Sequence, residues 1–141
     1  MKKLPLHSLI AVIDIRIVRA QKTLNFMLIE LSETREKFSL AIKKEQAWKR
    51  KKTEWECEFS SANSLALSVR NRVNVCAKID SIDGMLAREI QERRLLEADL
   101  HAIEEQCRLQ RKIIMKQNKL KEIFQEKIGE IVQHHAENCS R

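Results

Sequence analysis

Hydrophobic and polar positions alternate along the chain in two rows, each stepping by seven. One row is Ile10, Ile17, Leu24, Leu31, Phe38, Glu45, Lys52 and Phe59; the other is Leu6, Ile13, Ala20, Met27, Thr34, Ala41, Trp48 and Trp55. Thirteen of these 16 positions are apolar, where the 43% hydrophobic content would give about seven by chance. The rows alternate in steps of three and four, the spacing of a coiled-coil seam. The pattern predicts one helix over about 6–59, with Pro5 suited to its first turn because a missing N–H costs nothing there. Such a helix spans roughly 80 Å at 1.5 Å per residue and needs a long partner surface.

Residues 60–64, Ser-Ser-Ala-Asn-Ser, form the best turn signal, since Ser and Asn side chains bond nearby backbone N–H groups. Asp80 to Gly84 is a rival. A reversal near residue 62 makes the numbers of facing residues add to about 125 and covers the whole first seam, as a short connection between antiparallel neighbours does. A reversal near residue 80 leaves Leu6 to Val18, the most apolar segment, without cover. The earlier turn is therefore preferred, although the phase of the first seam carries on through Val69, Val73 and Cys76. In this register Trp48 and Trp55 are expected to face those three small residues.

A second helix follows over about 65–133. Its seam is clearest late, with Leu96, Ile103, Gln110, Gln117, Phe124 and Ile131 in one row and Leu100, Cys107, Ile114, Lys121 and Ile128 in the other. Gly84 inside it costs about 1 kcal/mol against Ala and is a candidate bend. Residues 134–141 are polar and expected to fray. The fold class is all-α, an antiparallel two-helix coiled-coil hairpin forming a single domain over 1–141.

Composition agrees with long helices. Gly is 2, Pro 1 and Tyr 0, and a third of the 141 residues are charged, so little is available to build turns or a thick core. The net charge of +7 is banded: residues 43–52 hold six Lys/Arg and one Glu, and residues 108–121 hold six Lys/Arg and no acid. Bands of this kind on long helices are usually solvated faces, so nucleic acid is not expected as a partner. Cys57, Cys76, Cys107 and Cys139 lack CxxC spacing and have no His at ligand spacing, so reduced thiols are expected rather than a metal or a disulfide framework. The apolar run at Leu9 to Ile13 is cut by Asp14 and Arg16, so neither a signal peptide nor a membrane-spanning helix is expected, and the chain reads as soluble.

Nothing reads as an active site. There is no phosphate loop, no HExxH and no nucleophile beside a base. His134 and His135 are adjacent and point to different helix faces, and Asp80 and Asp83 on an open helix lack the desolvation that would shift a pKa. No catalytic residue, cofactor or metal is expected. Three features point instead to contacts. Leu9, Val12, Ile15 and Val18 lie off both rows, and exposed apolar patches usually mark interaction sites. Residues 120–133, with Phe124, Ile128 and Ile131, have no mate in the expected register. Trp48 and Trp55 lie near the tip in a basic band with Arg50; tip packing is the first account of them, and the composition of a binding hot spot is the alternative.

These residues also carry a resemblance. The opening Leu4-Pro5-Leu6-His7-Ser8-Leu9-Ile10, followed by Arg16 and Arg19-Ala20, resembles the start of the type III secretion stalk proteins of the YscO or SctO family, with SpaM and InvI as relatives and FliJ as the flagellar counterpart. Trp48-Lys49-Arg50-Lys51-Lys52 through Glu54-Trp55-Glu56 is similar to the aromatic and charged cluster where their first helix ends. Lys119-Leu120-Lys121-Glu122-Ile123-Phe124 is similar to their C-terminal pattern. The resemblance implies a monomeric, cytoplasmic stalk, peripheral to the inner-membrane secretion apparatus. Such a stalk sits in the ring of a hexameric secretion ATPase, links it to the export gate, and in some cases escorts chaperones. Leu9, Val12, Ile15, Val18, Phe124, Ile128 and Ile131 would then meet the ATPase, and Trp48, Arg50 and Trp55 the gate. A purely structural coiled coil that dimerises, and a basic nucleic-acid-binding helix pair, are the alternatives.

Overall fold

In a computed structural model the chain is described over residues 5–62 and 69–139, with side chains described except at 61, 62, 69 and 70. Two helices account for all of it: α1 over Pro5–Ala62 and α2 over Val69–Cys139, with no strand among the described residues. Each of the 16 positions of the α1 rows is buried or half-buried. The heptad pattern dictates this, because a 3.5-residue repeat keeps one stripe of a helix against its partner along its whole length. Thr23 and Thr53 are accommodated inside α1 because each hydroxyl donates to the carbonyl one turn back, Arg19 O at 3.1 Å and Lys49 O at 3.0 Å.

The packing divides into two units, residues 1–31 with 103–141 and residues 32–102. In the first, Ile13, Ile17, Ala20 and Leu31 of α1 are buried, as are Ile103 and Cys107 of α2. Each large aliphatic side chain so covered contributes about 2 kcal/mol. Lys121 Nζ meets Asp14 Oδ1 at 2.6 Å, and Gln110 Nε2 donates to Ala20 O at 3.1 Å. The small side chain at Ala20 lets the amide reach a main-chain oxygen. In the second unit Ala41, Ile82 and Leu100 are buried with Glu45. Arg93 Nε donates to Glu45 Oε2 at 2.5 Å, and Lys52 Nζ meets Asp83 Oδ1 at 2.7 Å. Within each unit residue numbers rise along one helix as they fall along its partner, so the pairing is antiparallel and the hairpin class holds.

The register differs from expectation. Lys52 meets Asp83, whereas facing numbers that add to about 125 would put residue 73 there. The helix α1 continues to Ala62, past Phe59 where the sequence suggested an end. Of the expected turn, residues 60–62 are therefore helical, while 63 and 64 and the expected start of the second helix at 65 lie outside the described residues. The rival turn at Asp80–Gly84 is helix. The buried rows of α2 also keep their own phase: Val75, Ile79, Ile82, Leu86, Glu89 and Arg93 lead into Leu96 and Leu100 in unbroken steps of three and four. Val73, 60% exposed, and Cys76, also exposed, are off this seam, so the continuity of the first seam through them was coincidental. At the far end α2 runs on to Cys139 rather than stopping near 133.

Candidate functional site

Two surfaces gather the residues singled out from the sequence, one in each unit. In the first unit Leu9, Val12, Ile15 and Val18 are all exposed, as their place off the seam requires. Ile15 and Val18 line a shallow depression with Asp14, Arg19 and Lys22. The apolar strip continues through Phe26, 74% exposed, and Ile29, also exposed. Sequence reasoning missed these two, which lie beyond the dense apolar run that ends at Val18. The signal was present, since Ile15 and Ile29 are two heptads apart and Val12 and Phe26 likewise, which places each pair on one outward stripe.

On α2 the expectation that 120–133 stands unmated is corrected as far as Ile128. Phe124 and Ile128 are half-buried on the seam, and Lys121 is paired with Asp14. The shifted register slides α2 along α1 and covers them. Ile131, on the same row, is left 45% exposed, and every residue from Gly129 to Cys139 is exposed.

In the second unit Trp48 and Trp55 are half-buried and line an open groove with Lys51, Glu54, Lys78 and Ile82. Lys51 Nζ lies 4.7 Å from the centroid of the Trp48 ring, and Lys78 Nζ lies 4.2 Å from that of Trp55. These are cation–π distances. The expected neighbours are corrected: Val73 and Cys76 are exposed, and the Val69 side chain lies outside the described residues. The indoles share their groove with Ile82 instead, for the same reason of register. Arg50 is exposed and does not line the groove; Lys51 takes the flanking place that the sequence suggested for it.

Sequence reasoning placed Glu45 in the seam but assigned it nothing. It is 6% exposed and receives both Arg93 Nε and Lys49 Nζ, the latter at 3.3 Å. Burial pushes its carboxyl upward, but the hydrogen bonds and charges of Lys49 and Arg93 outweigh this and hold it below its ordinary value. The Lys52 ammonium is held above its ordinary value chiefly by its bond to Asp83. Asp83, considered with Asp80 as a carboxylate pair, is thus a salt-bridge partner.

Among the described residues no cluster of three or more His, Cys, Asp or Glu side chains could hold a metal ion, and no helix is long and apolar enough to cross a membrane. His134 and His135 are exposed, and Asn138 Nδ2 donates to His134 Nε2 at 3.4 Å. What these surfaces offer is contact: an apolar strip on one unit and an aromatic, cation-flanked groove on the other.

The fold is that of an antiparallel helical hairpin. A solved structure shares it. The chain is similar to the 2.8 Å crystal structure of the type III secretion protein YscO from Vibrio parahaemolyticus, with a TM-score of 0.71 at 16% identity, over 96% of this chain and 88% of that one. No protein-family model matches the chain, and no curated protein matches it in sequence.

Proposed function

We propose that this chain is the central stalk of a type III secretion system, coupling the secretion ATPase ring to the export gate and promoting substrate export. The observation that carries the reading is the shared fold with a type III secretion protein over 96% of the chain. The exposed apolar strip in one unit and the tryptophan groove in the other support two separate contacts. In this reading Leu9, Val12, Ile15 and Val18, with Phe124, Ile128 and Ile131, meet the hexameric ATPase, and Phe26 and Ile29 extend that face. Trp48 and Trp55, with Arg50 near them in sequence, meet the gate. Hydrolysis belongs to the ATPase, and export chaperones are further partners. The stalk acts as a monomer in the cytoplasm, peripheral to the inner-membrane apparatus.

The test is stimulation of the purified secretion ATPase by the purified chain. Ile15→Asp with Ile131→Asp alters two exposed positions, so far-UV helicity should survive while stimulation is lost. Full stimulation by that folded variant refutes the ATPase contact.

A further inference from the structure

Carboxylates neutralise some cations of the second unit. Lys49 and Arg93 are taken up by Glu45, and Lys52 by Asp83 and Glu56. Lys51 and Lys78 differ. Among the described residues neither ammonium lies within salt-bridge distance of a carboxylate, and each instead lies over an indole. They stand on opposite helices, both on the lining of the groove that Trp48, Trp55 and Ile82 form.

A cation over an indole keeps its charge and most of its hydration, because the ring quadrupole supplies no neutralising group. The indole also holds the ammonium in place, which lowers the entropy lost when a partner anion arrives. Beside the two lysines the groove is lined by the indoles, Ile82, Ser81 and Glu54, and of these only Glu54 opposes the lysines in sign. A partner suited to this arrangement places a carboxylate on Lys51 or Lys78 and an apolar side chain on the indoles.

We infer that the Trp48–Trp55 groove binds an acidic peptide segment in which Asp or Glu flanks a bulky apolar residue. This rests on the reading of the groove as a partner surface and adds the chemistry of what it takes. A basic partner would meet two ammonium groups against the single carboxylate of Glu54, and a purely acidic one would leave the ring surfaces uncovered. Charge-assisted hydrogen bonds to the two lysines would fix orientation, and apolar burial would supply the remainder.

The chain carries a built-in probe, since Trp48 and Trp55 are its 2 tryptophans and both line the groove. The experiment titrates the full chain, by tryptophan fluorescence, with short synthetic peptides. One has Glu and Asp flanking a Leu-Phe pair, a second has Lys in place of the acids, and a third has Ala in place of Leu-Phe. Saturable binding is expected for the first alone, weakening as salt is raised. Lys51→Gln with Lys78→Gln should reduce its affinity by about tenfold or more while helicity and melting are kept. Equal binding of the Lys peptide or the Ala peptide, no loss of affinity in the lysine variant, or no saturable response to the acidic peptide overturns the inference. So does tighter binding of phosphatidylserine vesicles than of the peptide. Secretion assays separate this from the gate reading. If Trp48→Ala with Trp55→Ala stops secretion while the lysine variant binds and secretes normally, the contact surface stands and its acidic partner falls. If peptide binding needs both lysines and the tryptophan variant secretes normally, the acidic-peptide site stands and the gate assignment falls.

Discussion

Arg93 of α2 donates its Nε proton to Glu45 of α1 at 2.5 Å, inside a seam that is otherwise mostly apolar. Arg93 also reaches Glu97, and Lys49 closes on the other oxygen of Glu45. A buried ion pair is not in itself strongly stabilising, because desolvation offsets much of the attraction. Its consequence is asymmetric: sliding or replacing one helix strands a charge.

Glu45→Ala should therefore cost about 3 kcal/mol, the lower end for a broken buried pair, because Arg93 remains partly exposed to water. The exchange Glu45→Arg with Arg93→Glu should recover part of the loss, but not all, since Lys49 would then face an arginine. Urea unfolding of the two single variants and the exchange checks both statements; an exchange no better than the sum of its parts would contradict the pairing.

The same pair sets a pH dependence. The Glu45 carboxyl titrates below its ordinary value of 4.5 in the folded chain. Its contribution is present above that value and is lost as pH falls through the lower folded value, because the unfolded chain then binds the proton more readily. The stability advantage of the natural chain over Glu45→Gln should shrink between about pH 5 and pH 3. Thermal melts of both proteins across that range give the measurement, and a gap that widens on acidification would be incompatible with the assignment.

Gly84 and Gly129 are both helical and exposed, and an added methyl group at either would meet nothing within 4 Å. Each Gly→Ala change should stabilise by about 1 kcal/mol through lost freedom in the unfolded chain and better helix propensity. Higher melting temperatures in both single variants, adding in the double, are the expected result.

Asp14 and Lys121 approach to 2.6 Å. Spin labels at these two positions, in a background lacking the four cysteines, should be close within one chain, at about the 8–10 Å spacing of packed helices plus the labels' reach. Dilution with unlabelled chain should leave the short distance unchanged. Its disappearance on dilution would mean that the pairing joins two chains and that the protein dimerises.

Trp48 and Trp55 are half-buried, so truncation removes less packing than at a core site. Each Trp→Ala change should cost about 1–2 kcal/mol, below the 3–5 kcal/mol of a fully buried aromatic. On the proposed function at least one of the two should lower gate binding or secretion at temperatures where the variant, destabilised by no more than that, is still fully folded. Normal secretion in both single variants and in the double would leave seam packing as their role.

The hydrophobic pattern by itself determined that this chain makes two long helices and which stripe of α1 is covered. Leu6 through Phe59 keep a step of three and four without Gly or Pro, and a helix with such a stripe has one stable solution, burial against another helix. It also marked Leu9, Val12, Ile15 and Val18 as lying outside the seam, since position in the heptad fixes direction. The register was decided only in three dimensions. Apolar seams are nearly degenerate to sliding by a heptad, because Leu, Ile and Val pack against one another in many alignments. The alignment was set by pairs that no single-helix pattern contains: Glu45 with Arg93, Lys52 with Asp83, Asp14 with Lys121 and Gln110 with the carbonyl of Ala20. That register gave Phe124 and Ile128, already on the seam rows of α2, a mate on α1, and brought the indoles to one groove with Ile82 and Lys78 instead of Val73, because a polar side chain has few partners that satisfy it and an apolar one has many.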